Sequence, residues 1–399
     1  MLKTDSPPRL PFPRTSPLEL APLYDELRQQ GPIARIRTQA GYAAWLVTDY
    51  HVAKRLFADP RLIRVHPENP AEDRKFTTSA SGAHVPKDRS GEPATHAMVR
   101  RLLAPAFSAH RMQRLKSRIE ELVEDCLTAL TEQQRPLDLH QQFSVPLPVL
   151  VICEILGVPF DDRAHFLRWC DDIALLTDPE AGVAATDGLF GYMMDLVRRK
   201  RREPGNDVLT DLIAAQLDEG FDDSVIARTV AVLLFAGQTT TVGRIDFGTM
   251  FLLAEPDRYQ RLREHPDLVP GTVEEILRMA APSDNAIHPR HALERVQIEG
   301  ATIEQGDLVI IAPAAANRDP GIFDQPNTFD PTRNPNPHIA FGHGAHYCIG
   351  ANLARAELNV IFTAMPRRLP DLRLVRAIEE ATLDGDRLNG GLTELLVDW

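Results

Sequence analysis

Residues 341–355 read Phe341-Gly342-His343-Gly344-Ala345-His346-Tyr347-Cys348-Ile349-Gly350-Ala351-Asn352-Leu353-Ala354-Arg355. Three glycines crowd around one cysteine. From Gly350 onward the text turns helical, with Leu353, Ala354, Leu358, Ile361, Phe362 and Met365 at helical spacing. This places Cys348 at the mouth of a helix, on a loop whose glycines allow tight turns and close approach to a flat object. A thiolate there is stabilised by the positive end of the helix dipole and by free backbone N–H groups.

A single thiolate can be a nucleophile, a zinc ligand or the axial ligand of a haem. His338, His343 and His346 lie nearby and keep zinc open, but Cys126, Cys153 and Cys170 offer none of the paired spacing of a structural zinc site. The pattern Phe-Gly-x-Gly-x-His-x-Cys-x-Gly, followed by Leu-Ala-Arg, resembles the haem-ligand loop of the cytochrome P450 superfamily. The resemblance implies that Cys348 is the proximal iron ligand of haem b, held by a loop that includes Phe341, Gly342 and Gly350. Electron donation from such a sulfur favours O–O cleavage.

The chain has 399 residues and is 43% hydrophobic, enough for a large core. No Gly/Ser linker, repeat or low-complexity tract divides it, so residues 1–399 read as one domain that starts with a proline-rich extended arm over 1–17. A net charge of −12 argues against nucleic-acid binding. Four scattered cysteines make no disulfide framework and fit a reducing cytoplasm. Residues 1–30 hold neither an apolar signal segment nor a membrane span, which fits the soluble bacterial, actinobacterial-type branch of the superfamily.

Leu20 to Gln30 reads as a helix, Ile33 to Arg37 and Ala43 to Thr48 as strands, and Asp49 as the N-cap of a helix running to Phe57. Arg61 to Pro93 loses periodicity; it is either a mobile surface loop or a lid, and the family covers its substrate pocket at this point. His96 and Arg100 share a helix face. Alone they carry little, but they match a family pair that grips a haem propionate, a task suited to charge-assisted hydrogen bonds. Ser108 to Thr131 is an amphipathic helix with Met112, Leu115, Ile119, Leu122, Cys126 and Leu130 inward. Cys126 and Cys153 therefore read as core residues. Asp162 to Thr177 and Leu189 to Arg202 read as two helices joined by a loop through Pro179 and Gly182. The basic run Arg198 to Arg202 is the solvated last turn of the second.

The longest helical text runs from Asp222 and Asp223 to about Ala254, apolar all round from Val230 to Ala236. Gly237-Gln238-Thr239-Thr240-Thr241 then weakens it, because threonine hydroxyls bond the carbonyls of the preceding turn. The family builds an oxygen-binding groove there with Ala-Gly-x-acid-Thr. Ala236, Gly237 and Thr240 match, while Thr239 stands at the acid position. By resemblance these four form the catalytic stretch, with Gln238 and Thr241 available to hold water.

Glu275 and Arg278 sit three apart on the next helix and match the family's Glu-x-x-Arg. Arg333, in Phe329-Asp-Pro-Thr-Arg333, would complete a structural network with them. Pro282 to Ile287 reads as irregular, with Pro289-Arg290 preceding a strand at Val296 to Ile298 and a further strand at Val309 to Ala312. Arg290 and His346 match further propionate contacts. Asn389-Gly-Gly-Leu392 resembles the turn that dips into the substrate pocket, which would be lined by Val232, Phe235, Asn285, Ala286, Ile287 and Leu392. Arg101 and Arg355 would flank the ligand loop as a basic patch for an acidic ferredoxin.

The implied fold is the cytochrome P450 fold, mainly α with a small, mostly antiparallel β region. The implied activity is that of a haem-thiolate monooxygenase that hydroxylates or epoxidises a small organic molecule in secondary metabolism. Electrons would come from NAD(P)H through a ferredoxin reductase and a ferredoxin to a cytoplasmic monomer, whose substrate is free or bound to a carrier protein. No nucleic acid or membrane partner is expected. Oxidative coupling, rearrangement or nitration remains open because Thr239 replaces the acid, and a non-catalytic haem sensor is a more remote alternative.

Overall fold

The computed structural model of the chain describes residues 6–39, 41–64, 92–219, 221–283 and 288–399. The proline-rich arm is docked: Leu10 donates its N–H to Arg37 O, Arg37 returns one to Pro8 O, and Leu10 and Phe12 are buried. Helix α1 (Leu23–Gln30) ends at Gly31 and leads into strands β1 (Ile33–Arg37) and β2 (Ala43–Val47). Asp49 caps α2 (Tyr50–Ala58) by accepting from the Val52 N–H at 2.8 Å. After β3 (Leu62–Ile63) come α3 (Glu92–Leu103) and α4 (Ala109–Thr131), the latter capped by Ser108. Met112, Ile119, Leu122 and Leu130 of α4 are buried, whereas Leu115 and Cys126 are only partly so.

Strand β4 (Leu137–Asp138) and a π-helical turn over His140–Ser144 precede α5 (Pro146–Leu156), which carries the buried Cys153. Helices α6 (Arg163–Ala174) and α7 (Pro179–Arg202) follow. Their junction is shorter than the sequence implied. Pro179 opens α7 at a position where its missing N–H costs nothing, Asp178 caps that turn through the Ala181 N–H, and Gly182 lies inside the helix.

Helix α8 (Val208–Glu219) leads to α9 (Asp223–Leu253), whose 31 residues run through the interior against α5, α7 and α11 (Val269–Met279). By length and composition α9 alone among the described helices could cross a membrane. Its C-terminal half, from Thr241 to Leu252, is almost wholly buried under neighbouring helices, among them α10 (Pro256–Glu264).

The main sheet has the order β1-β2-β8-β5-β3, in which β8 is Leu308–Ile311 and β5 is His288–Ala292. Among the described strand ladders only β2–β8 is parallel; a hairpin of β6 (Val296–Ile298) and β7 (Ala301–Ile303) and a three-stranded sheet of β4 with Arg373–Leu374 and Leu396–Asp398 are antiparallel. Strand β5 was not legible as such, since Pro289 and Arg290 fall inside it. Pro289 lies opposite Ile310 of β8, on a stretch that β3 does not reach, where a missing ladder donor is tolerated.

A four-residue helix α12 (Pro313–Ala316) and irregular chain bring the backbone to the ligand loop. Helix α13 (Ala351–Arg368) then packs on α4, α10 and α11, and β9 (Arg373–Leu374) and β10 (Leu396–Asp398) close the chain.

Candidate active site

The Cys348 loop is built by its glycines and tied to three helices. Gly342 and Gly344 both adopt φ near +73°, which L side chains rarely take. A Cβ on Gly344 would also stand 2.8 Å from the Ala58 Cα, so α2 presses directly on the loop. The Cys348 N–H donates to Phe341 O at 2.9 Å, and Gly350 is the N-cap of α13. From α3, Arg100 donates to Tyr347 O at 2.5 Å.

Cys348 is exposed as a residue. Its thiol pKa is nevertheless raised by burial of the sulfur among loop atoms, against the opposing pull of the Gly350 amide and the charges of Arg100 and Arg355. The helix-mouth environment thus does not ionise the free thiol by itself; a bound cation would remove its proton.

In the longest helix of the core, Val232 is 65% exposed, and Ala236 and Thr240, one and two turns on, are exposed as well. An open stripe on an interior helix marks space that protein atoms leave unfilled. Helix α9 packs against α13, so the stripe and the open Cys348 are the two surfaces that a flat group inserted there would cover.

The residues at one edge fit a group with carboxylates. His96 and His346 stack with ring centroids 4.1 Å apart. Burial pushes His346 down, and His96, Arg64, Arg290 and Arg100, all of positive sign, push it further, to about 3. His96 is lowered too, first by burial and then by Arg100 and Arg64. The His346 Nδ1 is buried and has no partner among the described residues. Five cationic or imidazole groups converging on one spot call for anionic oxygens. The sequence reading missed Arg64, which lies within the stretch without periodicity. Tertiary structure unites the remaining members from α3, β5 and the loop.

The threonine run leaves α9 unbroken. Each hydroxyl donates back along the helix: Thr239 to Phe235 O at 3.1 Å, Thr240 to Ala236 O at 2.8 Å and Thr241 to Gly237 O at 3.0 Å. A Cβ on Gly237 would lie 3.2 Å from the Ile152 Cγ1, so α5 closes in behind it. Gln238 is buried, its Oε1 without a partner among the described residues. Thr239 also accepts from the Asn389 Nδ2 at 2.5 Å. Of the expected pocket residues, Val232 is open, Phe235 half-buried and Leu392 buried, while Asn285, Ala286 and Ile287 lie outside the described residues.

Beneath the loop, Glu275 and Arg278 are fully buried and meet at 2.8 and 2.6 Å. Arg333 reaches the same carboxylate at 3.2 Å. Arg278 also caps the carbonyls of Asn317, Pro326 and Thr328, which fixes the irregular chain leading to the loop. Sequence reasoning missed two further parts, Asn336, which donates to the Glu275 Oε2 at 3.0 Å, and the neighbouring Glu274, which holds Arg355 and His338. Arg355 is therefore paired with an acid and lies over the Phe341 ring, contrary to the expectation of an available docking charge.

The cytochrome P450 family model matches residues 20–369, and the chain belongs to that family. It is a haem-thiolate monooxygenase by class, a haem protein that works with redox partners. It is 40% identical to the pentalenolactone synthase of Streptomyces exfoliatus, over 98% of each chain. It is 35% identical to the mycinamicin IV hydroxylase/epoxidase of Micromonospora griseorubida, over 99% of this chain and 100% of that one. Among solved structures, the cytochrome P450 MoxA of Nonomuraea recticatena superposes with a TM-score of 0.86 at 33% identity, over 98% of each chain.

Proposed function

We propose that the chain forms one catalytic unit in which Cys348 ligates haem b and Thr240 serves the oxygenation of a small organic molecule of secondary metabolism. The observation that carries this reading is the pairing of an open cysteine on a glycine-built loop with an open stripe on the interior helix, beside converging cations. When bound, haem supplies reductive activation of O2 and transfer of one oxygen atom to the substrate. His96, Arg100, Arg290 and His346 would hold its propionates, and Phe341, Gly342 and Gly350 would seat its proximal face. Glu275, Arg278 and Arg333 keep that seat rigid. Ala236 and Gly237 leave room at the groove, and Thr240 offers a hydroxyl oxygen to water there. Val232, Phe235 and Leu392 bound the substrate space.

In this reading the electrons come from NAD(P)H through a ferredoxin reductase and a ferredoxin, and the protein works as a cytoplasmic monomer, with α9 as a core helix. The names of its relatives favour a natural-product substrate, free or carrier-bound. The test is spectroscopic. The reduced carbon-monoxide complex should absorb near the wavelength that gives the family its name, and Cys348→His should abolish that band. Stoichiometric zinc without haem overturns the assignment.

Thr239 at the acid position favours a second reading, in which the product forms by coupling, rearrangement or nitration. Label from isotopic O2 found as a hydroxyl or epoxide oxygen of the product decides for oxygenation, and a product without such an oxygen decides for the alternative.

A further inference from the structure

The C-terminal turn reaches the core helix through the Asn389–Thr239 hydrogen bond. Residues 383–392 form a narrow loop closed by pairing of Leu383 with Leu392. One side of it is fastened to the end of α6: Leu388 N–H donates to Ala174 O at 2.8 Å, Leu176 N–H to Asp386 O at 2.7 Å, and Arg387 pairs with Asp171 at 2.5 Å. Its tip is fastened to the exit of α11, where Gly391 N–H donates to Pro282 O at 3.0 Å. A side chain on Gly390 would collide with the same carbonyl at 2.2 Å. Asn389 is therefore held from both sides while its Nδ2 lies 2.5 Å from the Thr239 Oγ1.

A threonine hydroxyl has one proton and two acceptor positions. At Thr239 the proton goes to Phe235 O and Asn389 fills an acceptor position. Thr240 also sends its proton back along the helix, but among the described residues no side chain takes its oxygen, and the residue is exposed on the open stripe. Neighbouring hydroxyls thus have different availability to water in the groove, and Asn389 makes the difference.

We infer that Asn389 is a positioning residue that withholds the Thr239 hydroxyl from the oxygenation groove and leaves Thr240 as the hydroxyl that organises water there. The inference rests on the oxygenase reading above. Its chemical consequence concerns how O2 is reduced. Productive turnover joins one oxygen atom to the substrate and releases the other as water, using two electrons from NAD(P)H and two protons. In the leak reaction the same two electrons and two protons convert O2 to hydrogen peroxide. A second free hydroxyl in the groove brings additional water and protons and favours the leak.

The test uses the haem-loaded full chain with a plant-type ferredoxin, its reductase and NADPH, and measures peroxide released per NADPH oxidised and the solvent deuterium isotope effect on that release. Asn389→Ala should raise peroxide release by about threefold or more, the scale of one lost neutral hydrogen bond, and change the isotope effect. Thr239→Val, which removes the hydroxyl altogether, should raise peroxide release less than Asn389→Ala does. The double variant should revert to the Thr239→Val level. A leak that persists in the double variant overturns the inference, because the turn would then act without Thr239. If Asn389→Ala does not retain haem, Thr239→Val decides alone: a marked change in peroxide release shows that this hydroxyl is already in use and also overturns it. Failure of the underlying reading looks different, as the wild-type chain would then lack the carbon-monoxide band and consume no NADPH.

Discussion

Arg355 and Glu274 meet at two points, Nε to Oε1 at 2.6 Å and Nη2 to Oε2 at 2.9 Å, and this pair locks α13, the helix after the Cys348 loop, onto α11. Burial pushes the Glu274 carboxyl up, but Arg355 and His338 outweigh it and hold it at about 2. A depressed carboxylate contributes stability above its ordinary value of 4.5, and that contribution disappears as the pH falls toward 2. Urea midpoints of the holoenzyme should fall over this window. Glu274→Gln should lower the midpoint at pH 6 and flatten the acid limb; an acid limb as steep as that of wild type would refute the linkage. Charge reversal at Arg355 should disturb haem retention more than ferredoxin docking.

The Glu275–Arg278 pair is inaccessible to solvent. Removing one partner of a buried pair strands the other charge and costs about 3–5 kcal/mol. Glu275→Ala should give little haem-loaded protein, measured as the ratio of haem absorbance to protein. Retention of normal haem content would show that Arg333 and Asn336 are not structural partners.

Glu357 lies buried on α13, its Oε1 without a partner among the described residues, and burial pushes its pKa up to about 8. Here the sign is reversed. An acid that resists ionisation in the fold destabilises it progressively from the ordinary pKa of 4.5 up to 8. Glu357→Gln should therefore stabilise the protein near pH 7 by roughly 2 kcal/mol, an order-of-magnitude figure for relieving a buried carboxyl, with no gain at pH 4. Equal melting temperatures of variant and wild type across pH 4–8 would count against it.

Gly344 combines left-handed backbone with the contact to Ala58. Gly344→Ala should cost about 1–3 kcal/mol through strain and the forced shift of the loop. Faster loss of haem to apomyoglobin is the readout.

Thr240 carries the exposed hydroxyl of the groove. Thr240→Ala should divert electrons to peroxide while haem and substrate still bind, lowering product per NADPH by up to about 100-fold, the low end of general acid assistance. Full product yield without added peroxide would eliminate proton delivery organised by this hydroxyl.

Much of this protein follows from local chemistry. The glycines around Cys348, the Glu275–Arg278 spacing, the Asp49 cap and the interior course of α9 depend on neighbours within a few residues, and the text carries them directly. Helical periodicity also assigned the buried faces of α4 and the core role of Cys153. The α6–α7 junction misled because Pro179 and Gly182 look like a loop, whereas a proline at the start of a helix is compatible with it. Strand β5 escaped because its state depends on β8 pairing beside it, and Pro289 hides the pattern.

What only the tertiary structure decided lies between distant segments. The convergence of Arg64 with His96, Arg100, Arg290 and His346, the capture of Arg355 by Glu274, and the Asn389 contact with Thr239 each join residues from separate elements. An isolated arginine or asparagine has many possible partners of similar free energy in water. Packing selects one by removing the water and fixing the distance, and sequence spacing does not encode that choice.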